Sequence, residues 1–499
     1  MDTTFMLIDG EWLDGRSNDY IEVMNPATEE VFARVPRATE REVDRALEAA
    51  ERAFPAWAGL SPFQRAEYLH RAGDILENRR EAVGRLITRE QGKPLKEAVG
   101  EVEKAVEMLR YYSEEGKRAY GQIAANADAM DQSLIIRQPA GVVAALSPWN
   151  YPVELTGWKA AAALAAGCTI VAKPPSLTPL SPLAYWQCLF DAGIPAGVIN
   201  AVTGSGETVG RRLVSSPIPR KIAFTGSLEV GLDIQDRAKG KIRKISLELG
   251  GQCPLVVSRN CDLDHAVKGA VRRSFRNMGQ ICIAINRIYV HQDIYESFLE
   301  AFRKKTMELV IGNGIEVPDA DVGPMASREG LEKTKRHIED ALAGGARLIC
   351  GGKRPAGPRY GKGFFFEPTI VADTNHQMRI MTEETFGPAV GVMPFSNLDE
   401  AIRLSNATPY GLAAYAYTND LHEMNKLARE IEAGSVAVNN VDAGIMNAPY
   451  GGWKQSGIGH EHGHEGLEEY LQLKHVRIRY REPGSRGQRR MEGSRKSEV

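Results

Sequence analysis

Short apolar runs alternate with helix-like stretches between Val142 and Glu248, and this alternation most constrains how the chain can fold. The run Val142-Val143-Ala144-Ala145-Leu146 is apolar at every position, as is typical of a strand buried on both faces of a parallel sheet. Strands that alternate with helices through short links predict a doubly wound α/β fold, whose ligand crevice lies at the carboxyl ends of the strands. The predicted strands are 142–146, 168–173, 199–202, 221–224 and 244–248, with helices near 158–166, 180–192, 207–215 and 231–238.

A second alternating series begins at Pro254 and predicts a second α/β domain. Its predicted strands are 287–291, 347–350, 389–394 and 435–438, with helices near 262–277, 293–309 and 397–405. The chain before the first series predicts a hairpin turning at Asp9-Gly10, then helices from Thr39 to about Glu115. Thr39 and Glu42 have the spacing of a capping box.

Composition narrows the classes of function. The chain has 43 % hydrophobic and 25 % charged residues and a formal net charge of −2, which is typical of a globular protein and favours neither nucleic acid nor an anionic membrane as a partner. The six cysteines are scattered without a C-x-x-C pair, so we expect no disulfide framework, no metal site and a reducing, cytoplasmic setting. We find no signal peptide and no apolar run of membrane-spanning length.

Two glycine-containing apolar loops carry a candidate nucleophile and a candidate base. Cys282 lies in one of them, 34 positions after Glu248 in Leu247-Glu248-Leu249-Gly250-Gly251. A lone cysteine is more often a small buried hydrophobe. In this setting Gly279 allows close backbone approach, and a Cys282 thiolate in a cleft could attack an aldehyde carbon.

Five motifs around these residues resemble signatures of the aldehyde dehydrogenase superfamily, in its order and spacing. They are Pro148-Trp149-Asn150-Tyr151-Pro152, Leu247-Glu248-Leu249-Gly250-Gly251, Gly279-Gln280-Ile281-Cys282, Glu383-Glu384-Thr385-Phe386-Gly387-Pro388 and Gly451-Gly452-Trp453-Lys454-Gln455-Ser456-Gly457. The resemblance covers about residues 5–480. It implies NAD(P)-dependent oxidation of an aldehyde to a carboxylic acid.

The resemblance also implies a role for each catalytic position. Cys282 is similar to the nucleophile that forms a thiohemiacetal, and the Asn150 amide with the Cys282 N–H resembles the oxyanion hole. Glu248 resembles the general base that activates the hydrolytic water. Lys159 and Glu461 match a relay near that base, although Gly459-His460 precedes Glu461 where Gly-Arg is common.

The cofactor side shows nucleotide-binding chemistry in its own residues. Phe224 to Gly231 has the pattern strand, turn, helix start, and its Gly226 and Ser227 could meet a pyrophosphate at a helix N-terminus. Lys173 follows a buried strand and could reach a ribose hydroxyl. Ser176 stands where family members strict for NAD often have a glutamate that repels a 2′-phosphate, so NAD and NADP both remain open. The full predicted cofactor set is Ser147, Pro148, Trp149, Lys173, Ser176, Gly206, Gly210, Phe224, Gly226, Ser227, Gly231, Glu384 and Phe386, the last two placed by the resemblance at the nicotinamide ribose.

The substrate end has conflicting signals. Arg276 matches a carboxylate-binding arginine of the succinate semialdehyde subgroup, but Trp158 stands where that subgroup has another arginine, and Ala284 stands where it often has a second cysteine. Tyr151, Trp158 and Tyr450 resemble the aromatic box of amino- and betaine-aldehyde enzymes, or line an apolar tunnel. We expect a small anionic semialdehyde, with Arg276 as the one charged lining residue.

The family architecture implies three structural parts. We assign 1–119 and 139–250 to a Rossmann-like NAD(P)-binding domain, 251–440 to a catalytic α/β domain, and 120–138 with 470–482 to a small β oligomerisation extension of a homodimer or homotetramer. The polar, basic segment 483–499 predicts a disordered tail. Two other functions remain open: an acylating enzyme that passes the thioester to coenzyme A, which Glu248 argues against, and a non-catalytic binding or structural protein on this scaffold.

Overall fold

The computed structural model describes residues 2–15 and 19–480. The prediction of a disordered tail at 483–499 lies outside the described residues, as do the last two positions of the predicted 470–482 segment. The described chain contains two large sheets with helices packed on them, and three smaller sheets. The fold class predicted from the sequence is confirmed.

The first large sheet has eight strands, and its five central strands are parallel. In spatial order the strands are Gly457–Ile458, Lys244–Glu248, Lys221–Thr225, Val142–Leu146, Thr169–Lys173, Ile199–Ala201, Met6–Ile8 and Glu11–Leu13. The chain runs outward from Val142–Leu146 in one direction through two strands, then returns and continues in the other direction. The crevice of a doubly wound sheet opens where the order reverses, so the carboxyl end of Val142–Leu146 marks its position.

Both faces of this sheet are buried, as the unbroken apolar strands predict. Val143 and Ala145 enter one hydrophobic cluster, while Val142 and Ala144 enter a second cluster on the opposite face. The helices of this half are Glu40–Gly59, Pro62–Asn78, Arg80–Gln91, Leu95–Glu115, Pro152–Ala166, Leu180–Asp191, Arg211–Ser215 and Leu228–Ala238. A π-turn, Gly206–Gly210, precedes Arg211–Ser215, where the sequence predicted one continuous helix at 207–215.

The predicted N-terminal signals are confirmed. Asp9 and Gly10 have positive φ angles of 56° and 79° in the turn between Met6–Ile8 and Glu11–Leu13. The Glu42 carboxylate accepts a hydrogen bond from the Thr39 N–H at 2.8 Å, as in a capping box. A further small sheet joins Asp2–Thr3, Glu30–Pro36 and Tyr20–Asn25.

The second large sheet has seven strands and is parallel except for one edge. Its spatial order is Arg347–Cys350, Thr369–Ala372, Ala389–Phe395, Ile285–His291, Cys253–Val257, Ala413–Tyr417 and Ser435–Val438. Its helices are Leu263–Phe275, Tyr295–Met307, Arg328–Ala343, Arg379–Thr382, Leu398–Asn406 and Leu421–Glu430, with Gly463–Glu468 near the end of the chain. The sequence did not predict the strands Thr369–Ala372 and Ala413–Tyr417 or the helix Arg328–Ala343.

The two segments expected in a small β extension pair with each other. Leu471–Arg479 runs antiparallel to Asp131–Pro139, and Gln122–Ala124 pairs with the other edge of Asp131–Pro139. A two-stranded sheet joins Tyr410–Gly411 to Trp453–Lys454. None of the helices within the described ranges combines the length and apolar character needed to cross a bilayer.

Candidate active site

Cys282 lies beyond an abrupt turn that ends the helix Leu263–Phe275. Asn277, Met278 and Gly279 all have left-handed φ angles, of 48°, 57° and 68°. The predicted helix 262–277 therefore ends two residues earlier than the sequence pattern indicated. A Cβ on Gly279 would overlap the carbonyl oxygen of Gly387, so only glycine fits there.

Hydrogen bonds compensate for the strain in this turn. A left-handed non-glycine residue costs about 1–2 kcal/mol. The Asn277 side-chain amide donates to the carbonyl oxygens of Asn150 and Gln280 at 3.1 and 3.3 Å, and accepts from Gln91 Nε2 at 2.9 Å. These bonds fix the loop that presents Cys282.

The candidate oxyanion donor faces this loop. Asn150 is buried, and its Nδ2 donates to the carbonyl oxygen of Gln280 at 3.1 Å, which leaves the second N–H of the amide for a ligand. Cys282 Sγ lies 3.3 Å from the hydroxyl oxygen of Tyr450. Burial raises the pKa of the Cys282 thiol to about 12, so the sulfur is protonated at neutral pH and its attack requires a base.

Glu248 is the best candidate for that base. It ends the strand Lys244–Glu248, and both carboxylate oxygens are buried without a hydrogen-bond partner in the described structure. Burial is the main reason why the pKa of Glu248 lies well above its usual range, and the nearby charge of Glu461 raises it further. The positive charge of Lys159 lowers this pKa in part. A buried carboxyl without a partner costs stability, and such groups concentrate at functional sites.

The structure brings the predicted relay residues together. Lys159 Nζ lies 3.1 Å from Glu461 Oε1 and donates to Thr225 Oγ1 at 2.6 Å, and both charged side chains are buried. The histidine before Glu461, where arginine is common, does not prevent this contact.

Two cavities meet at Cys282. The first encloses about 720 Å³, and the second, at the carboxyl ends of the first sheet's strands, about 340 Å³. Asn150, Leu155 and Cys282 line both. The predicted substrate residues Tyr151, Trp158, Arg276 and Tyr450 line the first cavity, whereas Pro148, Trp149, Gly226, Ser227, Glu384 and Phe386 line the second. A single sulfur between two such cavities can react with a molecule in one while a cofactor occupies the other.

The predicted phosphate turn is sterically tight. A Cβ on Gly226 would overlap the ring of Phe224, and one on Gly231 would overlap the side chain of Leu249. Ser227 Oγ accepts from the Val230 N–H at 3.4 Å and so caps the helix Leu228–Ala238. Gly226 and Ser227, which precede this helix, line the second cavity, and the positive end of a helix suits an anionic group.

The Glu384 carboxyl lies in the wall of the second cavity. It accepts a hydrogen bond from the Gly251 N–H at 2.9 Å, and burial raises its pKa to about 7. The rings of Trp149 and Phe386 meet edge to face at 5.5 Å beside it. Lys333 and Arg336, from the helix that the sequence did not predict, add positive charge to the same wall.

Four other predicted cofactor residues form a separate group beyond this cavity. Burial lowers the pKa of Lys173 to about 8, and its Nζ donates to the carbonyl oxygen of Pro174 at 3.0 Å. Ser176 donates to the carbonyl oxygen of Gly204 at 3.0 Å, and a Cβ on Gly210 would lie 3.9 Å from Lys173 Cδ. The π-turn that begins at Gly206 therefore lies against the Lys173 stem. Ser147, also predicted, accepts from Thr156 Oγ1 at 3.0 Å.

The expectation that Arg276 is the one charged residue of the substrate cavity is wrong. Arg272 and Arg273 line the same cavity and both bind Asp442, Arg272 in a bidentate manner at 3.0 Å and Arg273 at 2.7 Å. Arg276 Nε donates to Glu97 at 2.9 Å. In the predicted helix 262–277 the i, i+4 spacing would place Arg272 and Arg276 on one face, a signal from which the cluster could have been predicted.

The rings of the three predicted aromatic residues already contact other side chains of the protein. Lys93 Nζ lies 3.5 Å from the ring centroid of Tyr151, whose hydroxyl donates to Glu97 at 2.7 Å. Trp158 meets Tyr450 and His462 edge to face, with ring centroids 5.1 and 4.2 Å apart. His462 was not predicted in this cavity, and burial lowers its pKa to about 4, so the imidazole is neutral.

Comparison with known proteins agrees with this geometry. The family model "Aldehyde dehydrogenase family" matches residues 12–476. The chain belongs to the aldehyde dehydrogenase family, so it is an oxidoreductase that acts on an aldehyde group.

Its relatives differ in their substrates. The chain is 42 % identical to a succinate-semialdehyde dehydrogenase [NADP(+)] of Escherichia coli (strain K12), over 95 % of this chain and 97 % of the relative. It is 43 % identical to a 3-sulfolactaldehyde dehydrogenase of Pseudomonas putida, over 94 % of this chain and 96 % of the relative. A crystal structure of betaine aldehyde dehydrogenase from Staphylococcus aureus in complex with NAD+ is 34 % identical, with a TM-score of 0.93 over 95 % of this chain and 94 % of that one.

Proposed function

We propose that this aldehyde dehydrogenase oxidises a small aldehyde that carries an anionic group at its far end, a semialdehyde such as succinate semialdehyde. One observation carries the proposal: three arginines, Arg272, Arg273 and Arg276, line the cavity that contains Cys282. Two carboxylates, Asp442 and Glu97, accept from these three guanidinium groups, which leaves the arginine cluster with an excess of one positive charge. Elsewhere in the cavity wall Lys104 pairs with Glu107 at 2.7 Å, and Glu103 lies 3.9 Å from Arg80. Burial raises the pKa of the neighbouring Glu154 to about 7, so this carboxyl offsets the excess only in part.

Arg276 is the best placed of the three for a ligand. Its bond to Glu97 uses Nε, so the terminal nitrogens remain for the cavity. A guanidinium suits a carboxylate or sulfonate because its planar donors bind two oxygens at once. The succinate-semialdehyde and 3-sulfolactaldehyde relatives act on aldehydes of this charge.

A cationic substrate, as named for the betaine aldehyde dehydrogenase, is the second candidate, because Tyr151, Trp158 and Tyr450 are present. The contacts disfavour it. Lys93 occupies one face of Tyr151, and His462 packs against Trp158, so these rings are already engaged. The nearby arginines would also repel a second cation.

The second cavity fits NAD or NADP, the cofactors of this family. Its half-buried Glu384 can accept from ribose hydroxyls, its helix start at Ser227 suits a pyrophosphate, and Lys333 adds positive charge. We assign the outer group of Lys173, Ser176, Gly206 and Gly210 to the adenosine end. When bound, NAD(P)+ supplies the acceptor for the hydride that leaves the substrate carbon.

The chain's own residues perform the remaining chemistry. Cys282 loses its thiol proton, to Glu248 or to water, as Sγ bonds to the aldehyde carbon, and the carbonyl oxygen becomes an oxyanion that Asn150 Nδ2 and the Cys282 N–H stabilise. Loss of hydride converts this thiohemiacetal to a thioester. Glu248, with any thiol proton first passed on, accepts a proton from water as the water attacks the thioester, and returns it to the sulfur as the acid leaves. Lys159 and Glu461 set the charge beside Glu248 and pass its proton on.

The Arg276→Gln variant tests the substrate assignment. Glutamine can still donate to Glu97 but has no charge, so we expect KM for succinate semialdehyde to rise by about 10–100-fold, the value of one charge-assisted hydrogen bond. KM for butanal should change by less than about twofold because no anion is lost. Steady-state kinetics with both aldehydes measure this.

Lys268→Ala is the matched control, since it removes a positive charge from the helix that ends just before Arg276, outside this cavity. It should leave both KM values unchanged. Equal effects of Arg276→Gln on the acidic and the neutral aldehyde would remove Arg276 from anion recognition.

We also propose the domain roles and a homo-oligomeric state. Residues 1–119 and 139–250 would bind the cofactor, and 251–440 would carry the nucleophile. The sheet formed by Gln122–Ala124, Asp131–Pro139 and Leu471–Arg479 exposes Ile123 and Leu473, whose accessible fractions are 74 % and 68 %. Exposed apolar residues on an edge sheet favour pairing with another chain, so this extension would join two subunits.

A further inference from the structure

The segment between two N-terminal helices contacts the turn that holds Asn150 from behind. Gly92, Lys93 and Pro94 link the helices Arg80–Gln91 and Leu95–Glu115. The Lys93 side chain is fully buried, and its Nζ donates to Glu101 Oε2 at 2.6 Å and to the carbonyl oxygen of Asn150 at 2.8 Å. A buried ammonium group is costly unless it is paired, so these bonds fix its position.

Glu101 holds the other side of the same turn. Its Oε1 accepts from the backbone N–H groups of Val153 and Glu154 at 2.8 and 3.2 Å, which are orphan donors in the first turn of Pro152–Ala166. A carboxylate is favourable at a helix N-terminus. The ion pair thus clamps the chain on both sides of Tyr151, at the carbonyl of Asn150 and at the helix start.

The same segment also reaches the nucleophile loop. Gln91 Oε1 accepts from the Lys93 N–H at 2.9 Å, while Gln91 Nε2 donates to the Asn277 side chain at 2.9 Å. Asn277 Nδ2 in turn donates to the carbonyl oxygen of Asn150, which also accepts from Lys93 Nζ. Backbone and side chains of residues 91–101 therefore connect the loops of Asn150 and Cys282.

We infer that Lys93 and Glu101 are positioning residues, which set the Asn150 amide against Cys282 without touching the substrate. Both lie behind Asn150 and outside the walls of the two cavities. Their loss shifts the oxyanion donor, and a shift of about 1 Å can lower the rate about 100-fold. This inference rests on the proposed oxyanion role of Asn150.

Kinetic coupling to Asn150 separates positioning from a general structural role. Glu101→Gln keeps an acceptor for Val153 but removes the charge that holds Lys93, and we expect it to lower kcat by about 10–100-fold, with KM for NAD(P)+ within about twofold. Asn150→Ala alone should cost about 10²–10³-fold in kcat. In the Asn150→Ala background, Glu101→Gln should cost less than about twofold more, because the group that it positions is gone.

Lys93→Met gives an independent second variant, since it removes both bonds of the ammonium group, and it should show the same coupling. Arg65→Met is the control. It removes a buried cation that donates to the carbonyl oxygen of Ala165 at 3.0 Å, at the C-terminal end of the helix Pro152–Ala166. It should lower the melting temperature without changing kcat.

Three results would overturn the inference. Full additivity of the losses in the double variants would show that the ion pair acts independently of Asn150. Wild-type kcat in folded Glu101→Gln and Lys93→Met would show that the turn holds its position without them. Wild-type kcat in Asn150→Ala would refute the oxyanion role itself, and with it the positioning of that donor.

Discussion

The Cys282→Ala variant should lose at least about 10⁴-fold in the rate of NAD(P)H formation, since neither the thiohemiacetal nor the thioester can form without the nucleophile. The sulfur is the one group of the described chain that faces both cavities with a nucleophilic atom. The fold should be unaffected because the side chain is small and half-buried. Stopped-flow absorbance of NAD(P)H measures both the burst and the steady state.

Cys350→Ala is the matched control, because Cys350 is also free and half-buried but lies on the edge strand Arg347–Cys350. It should keep full activity. Cofactor binding to Cys282→Ala, followed by fluorescence quenching, should stay close to that of the unmodified protein. Turnover retained in Cys282→Ala would contradict the covalent route.

The Glu248→Gln variant should stall after the oxidation step. Glutamine has the shape of glutamate but cannot accept a proton, so hydrolysis of the thioester should slow by about 10²–10⁴-fold. The acyl group should then accumulate on Cys282. Intact-protein mass spectrometry after mixing with aldehyde and NAD(P)+ should detect one acyl adduct per chain.

The double variant Glu248→Gln, Cys282→Ala tests where this adduct forms, and it should carry none. A steady-state rate of Glu248→Gln equal to that of the unmodified enzyme would exclude Glu248 as the hydrolytic base. Loss of the NAD(P)H burst together with the adduct would show that Glu248 is needed first to deprotonate the thiol, whose pKa burial raises to about 12.

Local sequence signals predicted the first sheet well. Val142–Leu146 and Lys244–Glu248 have the predicted bounds, because apolar residues at every position and short turns determine a buried strand locally. The helix predicted near 262–277 ends at Phe275. The left-handed Asn277 is held by Gln91, which is 186 positions away, so no local pattern could indicate it.

The candidate site, too, could be predicted from local motifs only in part. The motifs brought out Cys282, Asn150 and Glu248. The structure places Cys282 and Asn150 at the junction of the two cavities, and Glu248 close enough for its charge to raise the pKa of the Cys282 thiol. The charge state of the substrate cavity depends on pairs such as Arg276 with Glu97, which are 179 positions apart. The Lys93–Glu101 ion pair was likewise hidden, since its Lys93 lies in what the sequence shows only as a helix break.

The most direct test of the account is the specificity constant of the unmodified enzyme for three aldehydes of similar length: succinate semialdehyde, butanal and 4-aminobutanal, each with NAD+ and with NADP+. The arginine cluster predicts that kcat/KM for the anionic aldehyde exceeds that for butanal by about 10-fold or more, with the cationic aldehyde last. The preference should fall as salt is added, because ions screen the arginines. A kcat/KM for butanal or 4-aminobutanal that equals or exceeds the value for succinate semialdehyde would contradict it.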